Sequence, residues 1–298
     1  MSETIKELAK TSFAYQRKRT GGLQKLLARH VPRQLLRRGK RLLMLPMDGM
    51  DFLLGRRGEL VPPRYLNFAG DGDFKAAGDE FLKYFVELGG LSPAHRVLDV
   101  GSGIGRMARP LTRYLSGGSY EGIDIVPQGI EWCQRNISER YPNFCFQLAD
   151  VRNLMYNPQG RFEAAEYRFP FGDGDFDFTC LTSVFTHMRN REMENYLLEI
   201  ARTLRPSGKC LATYFFLNSE SRTLIEAGRS SLDIRYPLDG CWTSDEVVPE
   251  LAIGFDEGYV RKLYADLGFV VETVQYGEWC GRREYLSYQD IIVARRRP

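Results

Sequence analysis

The order of strand-like and helix-like runs constrains the fold of this chain more than any other feature. Short apolar runs typical of buried strands alternate with stretches of helical periodicity. The strand-like runs are Arg96–Val100, Ser119–Ile123, Phe144–Leu148, Phe176–Thr182 and Lys209–Leu217. The helix-like stretches among them are Met107–Leu115, Gln128–Arg140 and Arg191–Leu204. Because strands that alternate with helices form parallel sheets through right-handed crossovers, the pattern predicts a doubly wound α/β fold.

A different pattern follows in the last part of the sequence. A helical stretch, Glu257–Leu267, precedes two strand-like runs, Phe269–Tyr276 and Ser287–Ala294. The segment between these runs is too short for a parallel crossover, so they should form an antiparallel hairpin. We therefore predict a Rossmann-like sheet of seven strands, mostly parallel, with a C-terminal antiparallel hairpin. A doubly wound sheet that ends in such a hairpin differs from the sheet of the usual dinucleotide-binding dehydrogenase.

Composition narrows the class of protein. The chain has 298 residues, of which 43% are hydrophobic, as is ordinary for a globular domain. No apolar run approaches the roughly 18 residues of a membrane span, and no secretory signal is recognisable. The six cysteines are scattered without a C-x-x-C pair, which disfavours a metal site and a disulfide framework. These features favour a protein of the reducing cytoplasm.

Charge divides the chain unevenly. Residues 1–45 contain 12 Lys or Arg and two acids, while the rest of the chain carries a net charge of −7. Leucines alternate with the basic residues at roughly helical spacing, and Pro46 and Pro62 predict turns and extended chain beyond them. A helical pattern begins at Asp73. We therefore divide the chain into a basic N-terminal arm and cover, 1–72, and a main domain, 73–298.

A glycine-rich segment carries the densest functional signal. It follows the first predicted strand and reads Val97-Leu98-Asp99-Val100-Gly101-Ser102-Gly103-Ile104-Gly105. Glycines let the backbone turn sharply and approach a ligand, and the following helix offers unpaired N–H groups. Asp99 stands at the strand end, where its carboxylate can receive an ammonium group. Arg106 occupies the place where a dinucleotide fingerprint has its third glycine, so a nicotinamide enzyme is the weaker interpretation.

Two further carboxylates end the next two strands. Asp124 follows Gly105 by 19 residues, where it can accept both hydroxyl groups of a ribose. Asp150 ends the third strand, where it can accept an adenine amino group while Val151 packs on the ring. Each acid alone is as consistent with a helix cap or a solvated strand end. Together, on three successive strands, the acids point to one nucleoside ligand in the crevice at the carboxyl edge of the sheet.

These motifs make the chain resemble the class I S-adenosylmethionine-dependent methyltransferases over about residues 74–298. The resemblance continues through Phe169-Pro170-Phe171, Ser183-Val184-Phe185-Thr186-His187-Met188 and Leu204-Arg205-Pro206-Ser207-Gly208-Lys209. It implies S-adenosyl-L-methionine as the cofactor. The cofactor-binding residues that it implies are Asp99, Gly101, Ser102, Gly103, Gly105, Asp124, Ile125, Asp150, Val151, Leu181 and Thr182. Residues 151–169 form an insert where such proteins usually have only a few residues.

A candidate base follows the fourth strand. Methyl transfer from a sulfonium needs a nucleophile held in line and often a base that removes its proton. Of the three histidines, His30 lies in the arm and His95 precedes the first strand, at the opposite edge of the sheet. His187 lies on the same edge as the glycine loop and is the predicted catalytic base. The alternative is that it only caps or packs on the helix that begins near Arg191.

Two segments reach the same edge and are candidates for contact with the acceptor. The connection Asn218–Asp256 is far longer than usual and predicts a lid or substrate loop, and Gly277–Leu286 is the loop of the last hairpin. Exposed aromatic residues beside arginines suit an acceptor that is partly apolar and anionic, although they equally suit packing of a lid. Such residues here are Tyr236, Trp242, Phe255, Trp279, Tyr285, Arg222, Arg229, Arg235, Arg282 and Arg283.

We expect methyl transfer to a small or lipid-like acceptor, at oxygen. The alternatives are a methyltransferase acting on RNA or protein and a non-catalytic S-adenosylmethionine-binding protein. Residues 1–45 have three interpretations: a helix that covers the site, a contact with an anionic membrane, or a contact with RNA. The arm has only Phe13 and Tyr15 for stacking on bases, which disfavours nucleic acid. The sequence does not specify an oligomeric state.

Overall fold

A computed structural model describes residues 44–51, 54, 58–67, 73–154 and 156–298. The strands of the described residues are β1 (Arg96–Val100), β2 (Ser119–Asp124), β3 (Phe144–Leu148), β4 (Phe176–Leu181), β5 (Leu204–Tyr214), β6 (Phe216–Leu217), β7 (Tyr236–Leu238), β8 (Cys241–Thr243), β9 (Ile253–Asp256), β10 (Phe269–Gln275) and β11 (Asp290–Arg296). Seven of them form the main sheet, in the order β10-β11-β5-β4-β1-β2-β3. β1 to β5 pair in parallel, and β11 is antiparallel to both β5 and β10. The predicted seven-stranded sheet with its C-terminal hairpin is confirmed.

Helices cover both faces of this sheet. They are α1 (Phe74–Glu87), α2 (Ala108–Tyr114), α3 (Pro127–Cys133), α4 (Asn190–Thr203), α5 (Ser219–Glu226) and α6 (Glu257–Asp266). Neighbouring residues of β1 point to opposite faces, so Val97 packs with α1, α2 and α3 while Leu98 packs with α4 and α6. The helix predicted over Gln128–Arg140 continues past α3 as a π-helical turn, Gln134–Ser138. Because β1 to β5 are parallel, their carboxyl ends lie along one edge of the sheet, between these two layers of helices.

The chain leaves the main sheet earlier than the apolar pattern predicts. The predicted strand Lys209–Leu217 is divided, because β5 ends at Tyr214 and Phe216 and Leu217 pair instead with β9. The buried Asp290 carboxylate accepts a hydrogen bond of 2.6 Å from the Phe216 N–H, and the Phe215 carbonyl accepts one from the N–H of Phe255. The segment Asn218–Asp256, which we call the lid, is folded: it contains α5, β7, β8 and β9. β6 immediately precedes it, and the four strands form a second sheet in the order β6-β9-β8-β7.

The N-terminal part is described only from residue 44. Residues 44–51 are helical, where the prolines had predicted turns and extended chain, because the φ of Pro46 is compatible with a helix. The Asp73 carboxylate caps α1 by accepting from the N–H groups of Lys75 and Ala76. The three interpretations of residues 1–45, including the membrane contact, fall almost wholly outside the described residues. The domain boundary at 72/73 stays a prediction.

Two general features follow from the described ranges. No helix in them is long and apolar enough to cross a membrane. All six cysteines are free thiols, five of them buried and Cys145 exposed.

Candidate active site

The glycine loop after β1 has a backbone that other residues rarely adopt. Gly101, Gly103 and Gly105 have φ angles of +84°, +59° and +76°. The N–H groups of Gly101 and Ser102 both donate to the Ile123 carbonyl, at 2.8 and 3.1 Å. Because positive φ costs glycine little, the loop can turn back over the ends of β1 and β2. The turn predicted from the three glycines is present.

Two of these glycines also lie against neighbouring side chains. A Cβ on Gly101 would lie 2.3 Å from Cγ2 of Val184, and one on Gly105 would lie 2.6 Å from Cδ1 of Ile137. A Cβ on Gly103 would meet no atom within 4 Å. Gly101 follows β1 and Val184 follows β4, so they meet where the strand order reverses, the place at which open α/β sheets bind ligands. The loop is thus packed at both ends and open at its middle.

Asp99 lies fully buried beneath this loop. Its Oδ2 accepts a hydrogen bond of 2.6 Å from the Tyr120 hydroxyl, while Oδ1 has no partner among the described residues. Ser102 Oγ is also buried and lacks a partner in the described part of the chain. Burial raises the pKa of Asp99 to about 7, although the hydrogen bond from Tyr120 acts in the opposite direction. Buried polar atoms normally have partners, so this pair marks a place suited to a polar ligand group.

Asp124 ends β2 and connects the loop to the next strand. Its Oδ2 accepts from the Gly103 N–H and its Oδ1 from the Val126 N–H, both at 2.8 Å. Each carboxylate oxygen has two lone pairs, so both can still accept a hydroxyl group. Burial raises the pKa of Asp124 to about 6, against the effect of these backbone hydrogen bonds. The side chain therefore supports the loop and remains capable of binding a diol.

Asp150 follows β3 and contacts the insert. Its carboxylate accepts from the Arg161 guanidinium and, at 3.5 Å, from Asn157 Nδ2. The Arg161 hydrogen bond holds the pKa of Asp150 below its usual value. Val151, by contrast, is buried and forms a parallel bridge with Phe162. The insert thus folds back on the predicted adenine end and supplies a cation there, which the sequence did not indicate.

The remaining predicted pocket residues differ in exposure. Val151 and Leu181 are buried, while Ile125 and Thr182 are partly exposed. Next to Thr182, Ser183 has a φ of +59°, its N–H donates to Thr213 Oγ1, and its hydroxyl donates to Gln289. A non-glycine residue with this conformation is strained, and such strain concentrates at functional sites.

His187 ends a 3-10 turn, Phe185–His187, that begins beside Val184. Its Nδ1 lies 2.8 Å from the Glu250 carbonyl oxygen of the lid, and its ring contacts Tyr156 edge-to-face with centroids 5.9 Å apart. A carbonyl only accepts, so Nδ1 donates, and the lone pair of the neutral ring lies on Nε2. The imidazole is therefore held in the tautomer that a base acting through Nε2 requires.

The lid and the hairpin loop contain both exposed and buried members of the predicted acceptor set. Trp242 is half-buried and stacks under Arg222, whose Cζ lies 4.4 Å from the ring centroid. Phe255 and Trp279 are fully buried, so the expectation that they are exposed is wrong. Phe255 pairs in the lid sheet, and Trp279 is held because its indole N–H donates to a buried carboxylate. These two residues pack the lid onto the body.

Asp290 is that carboxylate, and it organises the base of the lid. It accepts from the N–H groups of Phe216 and Gly277, from Trp279 Nε1 and from Arg282 Nη1, at 2.6 to 2.9 Å. Arg282 also donates to Glu220 at the start of α5. Burial raises the pKa of Asp290 to about 6, while the neighbouring Arg282 acts in the opposite direction. One buried ion pair therefore joins the lid, the hairpin loop and the main sheet.

Several residues of the site were not found from the sequence. Tyr120 holds Asp99, Val184 packs on Gly101, and the backbone of Glu250 orients His187. In the sequence, Tyr120 is an ordinary residue of a predicted strand. The contact of Glu250 with His187 is made by a backbone carbonyl, so the residue type does not predict it. The positive φ of Ser183 likewise leaves no mark in residue type.

Comparison with known proteins gives independent information. Residues 97–208 match a family model described as a methyltransferase domain. The chain is 34% identical over 128 residues to a phthiotriol/phenolphthiotriol dimycocerosates methyltransferase 1 of Mycobacterium ulcerans, over 43% of this chain and 39% of that protein. It is 30% identical over 141 residues to a fatty-acid O-methyltransferase of Mycolicibacterium smegmatis, over 45% of this chain and 44% of that protein. The chain thus spans about two fifths of the length of these relatives.

A solved structure shares the fold. An S-adenosylmethionine-dependent methyltransferase from Mesorhizobium loti superimposes with a TM-score of 0.51 at 13% identity, over 74% of this chain and 100% of that one. The glycine loop, Asp99, Asp124 and Asp150 all lie within the residues that match the family model. Residues 97–208 of this chain thus form a methyltransferase domain, and the chain has the fold of an S-adenosylmethionine-dependent methyltransferase.

Proposed function

We propose that this protein transfers a methyl group from S-adenosylmethionine to an oxygen atom of a small or lipid-like acceptor. One observation carries the proposal: the His187 imidazole, whose Nδ1 lies 2.8 Å from the Glu250 carbonyl oxygen, follows Val184 by one turn, and Val184 packs on Gly101 of the glycine loop. The family of residues 97–208 supports the reaction class. The two relatives, whose names specify phthiotriol/phenolphthiotriol dimycocerosates and a fatty acid, support the class of acceptor.

The residues around the loop fit the cofactor, on the evidence of the unpartnered Asp99 Oδ1 and Ser102 Oγ and the open space at Gly103. Asp99 would hold the ammonium group, Asp124 the ribose hydroxyls, and Asp150 with Val151 the adenine. Gly101 and Gly105 would line the methionine end. Ile125, Leu181 and Thr182 would close the pocket. When bound, S-adenosylmethionine supplies an electrophilic methyl group on a sulfonium.

His187 would remove the proton of the acceptor hydroxyl. The Glu250 carbonyl holds the proton on Nδ1, so Nε2 accepts the acceptor's proton and the ring becomes an imidazolium. That carbonyl also stabilises the imidazolium, because Nδ1–H is a stronger donor when the ring is charged. Glu250 belongs to the lid, whose position therefore sets the orientation of the base.

Transfer itself can be tested without knowing the natural acceptor. The purified protein should bind S-adenosylmethionine in calorimetry and convert it to S-adenosylhomocysteine when supplied with hydroxylated or carboxylated long-chain acceptors. Label from the methyl group should then enter the organic phase. Label that enters RNA or protein would support the first alternative instead. Tight cofactor binding without turnover on any of these acceptor classes would favour a non-catalytic binding protein.

The pKa of Asp99 predicts pH-dependent cofactor binding. With its pKa raised to about 7, Asp99 is largely protonated at pH 6 and largely ionised at pH 8. Only the carboxylate attracts an ammonium group, so affinity for S-adenosylmethionine should rise about tenfold from pH 6 to pH 8 and binding should release a proton. Calorimetry in buffers of different ionisation enthalpy measures both quantities. An Asp99→Asn variant should bind weakly and without this pH dependence; wild-type affinity that is constant over this range would contradict the assignment.

A further inference from the structure

The helical segment 44–51 has its polar side toward the body of the protein. Asp48 is only 6% exposed, and its carboxylate accepts from the backbone N–H groups of Arg64, at 2.9 Å, and Tyr65. Asp51, three residues later, forms an ion pair with the Arg64 side chain. Two acids on one helical face therefore fix the segment to the body.

Its apolar residues consequently point outward. Leu45, Met47, Met50 and Leu54 are 43%, 49%, 57% and 53% exposed. The Leu54 N–H donates to the Met50 carbonyl, and Met47, Met50 and Leu54 have the i, i+3, i+7 spacing of residues on one helical face. Surface helices of globular proteins normally bury this face. Among the residues that the structure describes, this inverted arrangement leaves an exposed apolar stripe, which we define as Met47, Met50 and Leu54.

The charge of the adjoining sequence indicates what this stripe contacts. Residues 1–45 contain 12 Lys or Arg against two acids, a charge of +10, and run directly into the stripe. Basic residues next to outward-facing methionines and leucines are the chemistry of an interfacial segment, in which cations contact lipid phosphates and apolar side chains enter the acyl boundary. The rest of the chain carries a net charge of −7, so an anionic surface would attract the N-terminal end of the protein and repel the remainder.

We propose that the stripe inserts into an anionic lipid surface and docks the protein there by this end. This interaction does not depend on the proposed methyl transfer. Neither the glycine loop nor His187 belongs to the docking face, so lipid binding and cofactor binding can be measured separately. A second copy of the chain, or the chain's own residues 1–43, are the other occupants that the experiment must distinguish.

Co-sedimentation with vesicles tests the proposal. The full chain should pellet with phosphatidylglycerol–phosphatidylcholine vesicles and much less with pure phosphatidylcholine. A Met50→Ser, Leu54→Ser double variant should lose at least about tenfold in partition coefficient, since it removes two inserted apolar side chains. A Leu198→Ser, Val270→Ser variant, which changes two exposed apolar residues elsewhere, should bind like wild type. Calorimetric binding of S-adenosylmethionine by both variants shows that they are folded.

A fluorescence measurement separates insertion from simple electrostatic attraction. In a Cys145→Ser background, an environment-sensitive dye on Met50→Cys should shift to the blue when anionic vesicles are added, and the same dye on Leu198→Cys should not. Failure of the full chain to pellet with anionic vesicles would overturn the proposal. So would unchanged binding by the double variant, or a blue shift at Met50→Cys that is complete before lipid is added. A dimer in solution that the double variant abolishes would assign the stripe to a second copy.

Discussion

Replacement of His187 by glutamine should lower kcat by about 10²- to 10⁴-fold while affinity for S-adenosylmethionine stays near that of the wild type. Glutamine can still donate to the Glu250 carbonyl but cannot accept a proton, so the variant keeps the packing and loses the base. Because a histidine base must be neutral to act, wild-type kcat should fall toward acid pH. In His187→Gln that acid limb should disappear.

Steady-state kinetics over a range of pH measures both effects. A role in substrate hydrogen bonding alone would raise KM with less effect on kcat. His95→Gln is the matched control, because His95 lies before β1 at the opposite edge of the sheet, where its Nδ1 accepts from the backbone N–H of Ser92. Near-normal kcat and an unchanged pH profile in His187→Gln would retire the base assignment and leave the family assignment untouched.

Replacement of Asp124 by alanine should weaken S-adenosylmethionine binding by about 1.5–3 kcal/mol, or roughly 10- to 150-fold. The variant removes the carboxylate that we propose accepts from the two ribose hydroxyl groups. It also frees the Gly103 and Val126 N–H groups that the carboxylate now holds. Asp124→Asn retains one acceptor oxygen and the shape of the side chain, so its loss of affinity should be smaller.

Calorimetry on folded protein decides this prediction. Glu139→Ala, which changes an exposed acid beyond the π-helical turn, should bind the cofactor like wild type. Adenosine, which carries the same ribose, should lose affinity for Asp124→Ala by a similar factor, whereas methionine should not. Unchanged affinity for S-adenosylmethionine in Asp124→Ala would exclude the ribose assignment.

The parts of the fold that follow from local pattern were predictable. β1 and β3 have the predicted bounds: β1 is a buried apolar run that ends at the glycine turn, and β3 is an edge strand whose apolar residues Phe144 and Phe146 face the core. The positions of Asp99, Asp124 and Asp150 followed from the rule that parallel strands end at one edge. Their partners did not. The Tyr120 hydroxyl, the Arg161 guanidinium and the Glu250 carbonyl reach the site through tertiary packing, which sequence spacing does not encode.

The lid was predictable in extent but not in form. Its length alone indicated a functional segment, whereas the pairing of Phe216 with Phe255 depends on two short strands far apart in sequence. The apolar run through Leu217 looked continuous, since a buried strand and the start of a second sheet have the same composition. The buried Asp290, which accepts from the Phe216 N–H where the two sheets separate, is an isolated acid within the predicted strand Ser287–Ala294, and the local pattern does not indicate its partners.

The lid leaves and rejoins the body at neighbouring points, because Leu217 and Asp256 are partners in the β6–β9 pair. The cost of closing a loop between fixed ends rises only slowly with its length, so a change in the length of the 38 residues between them adds little closure cost, provided that the buried contacts of Phe255 and the Glu250 carbonyl that holds His187 are kept. Such a change would leave Asp99 and Asp124 in place. Leu217 and Asp256 are therefore suitable graft points for a chimeric chain, which would keep the proposed cofactor residues while the segment proposed to contact the acceptor is exchanged.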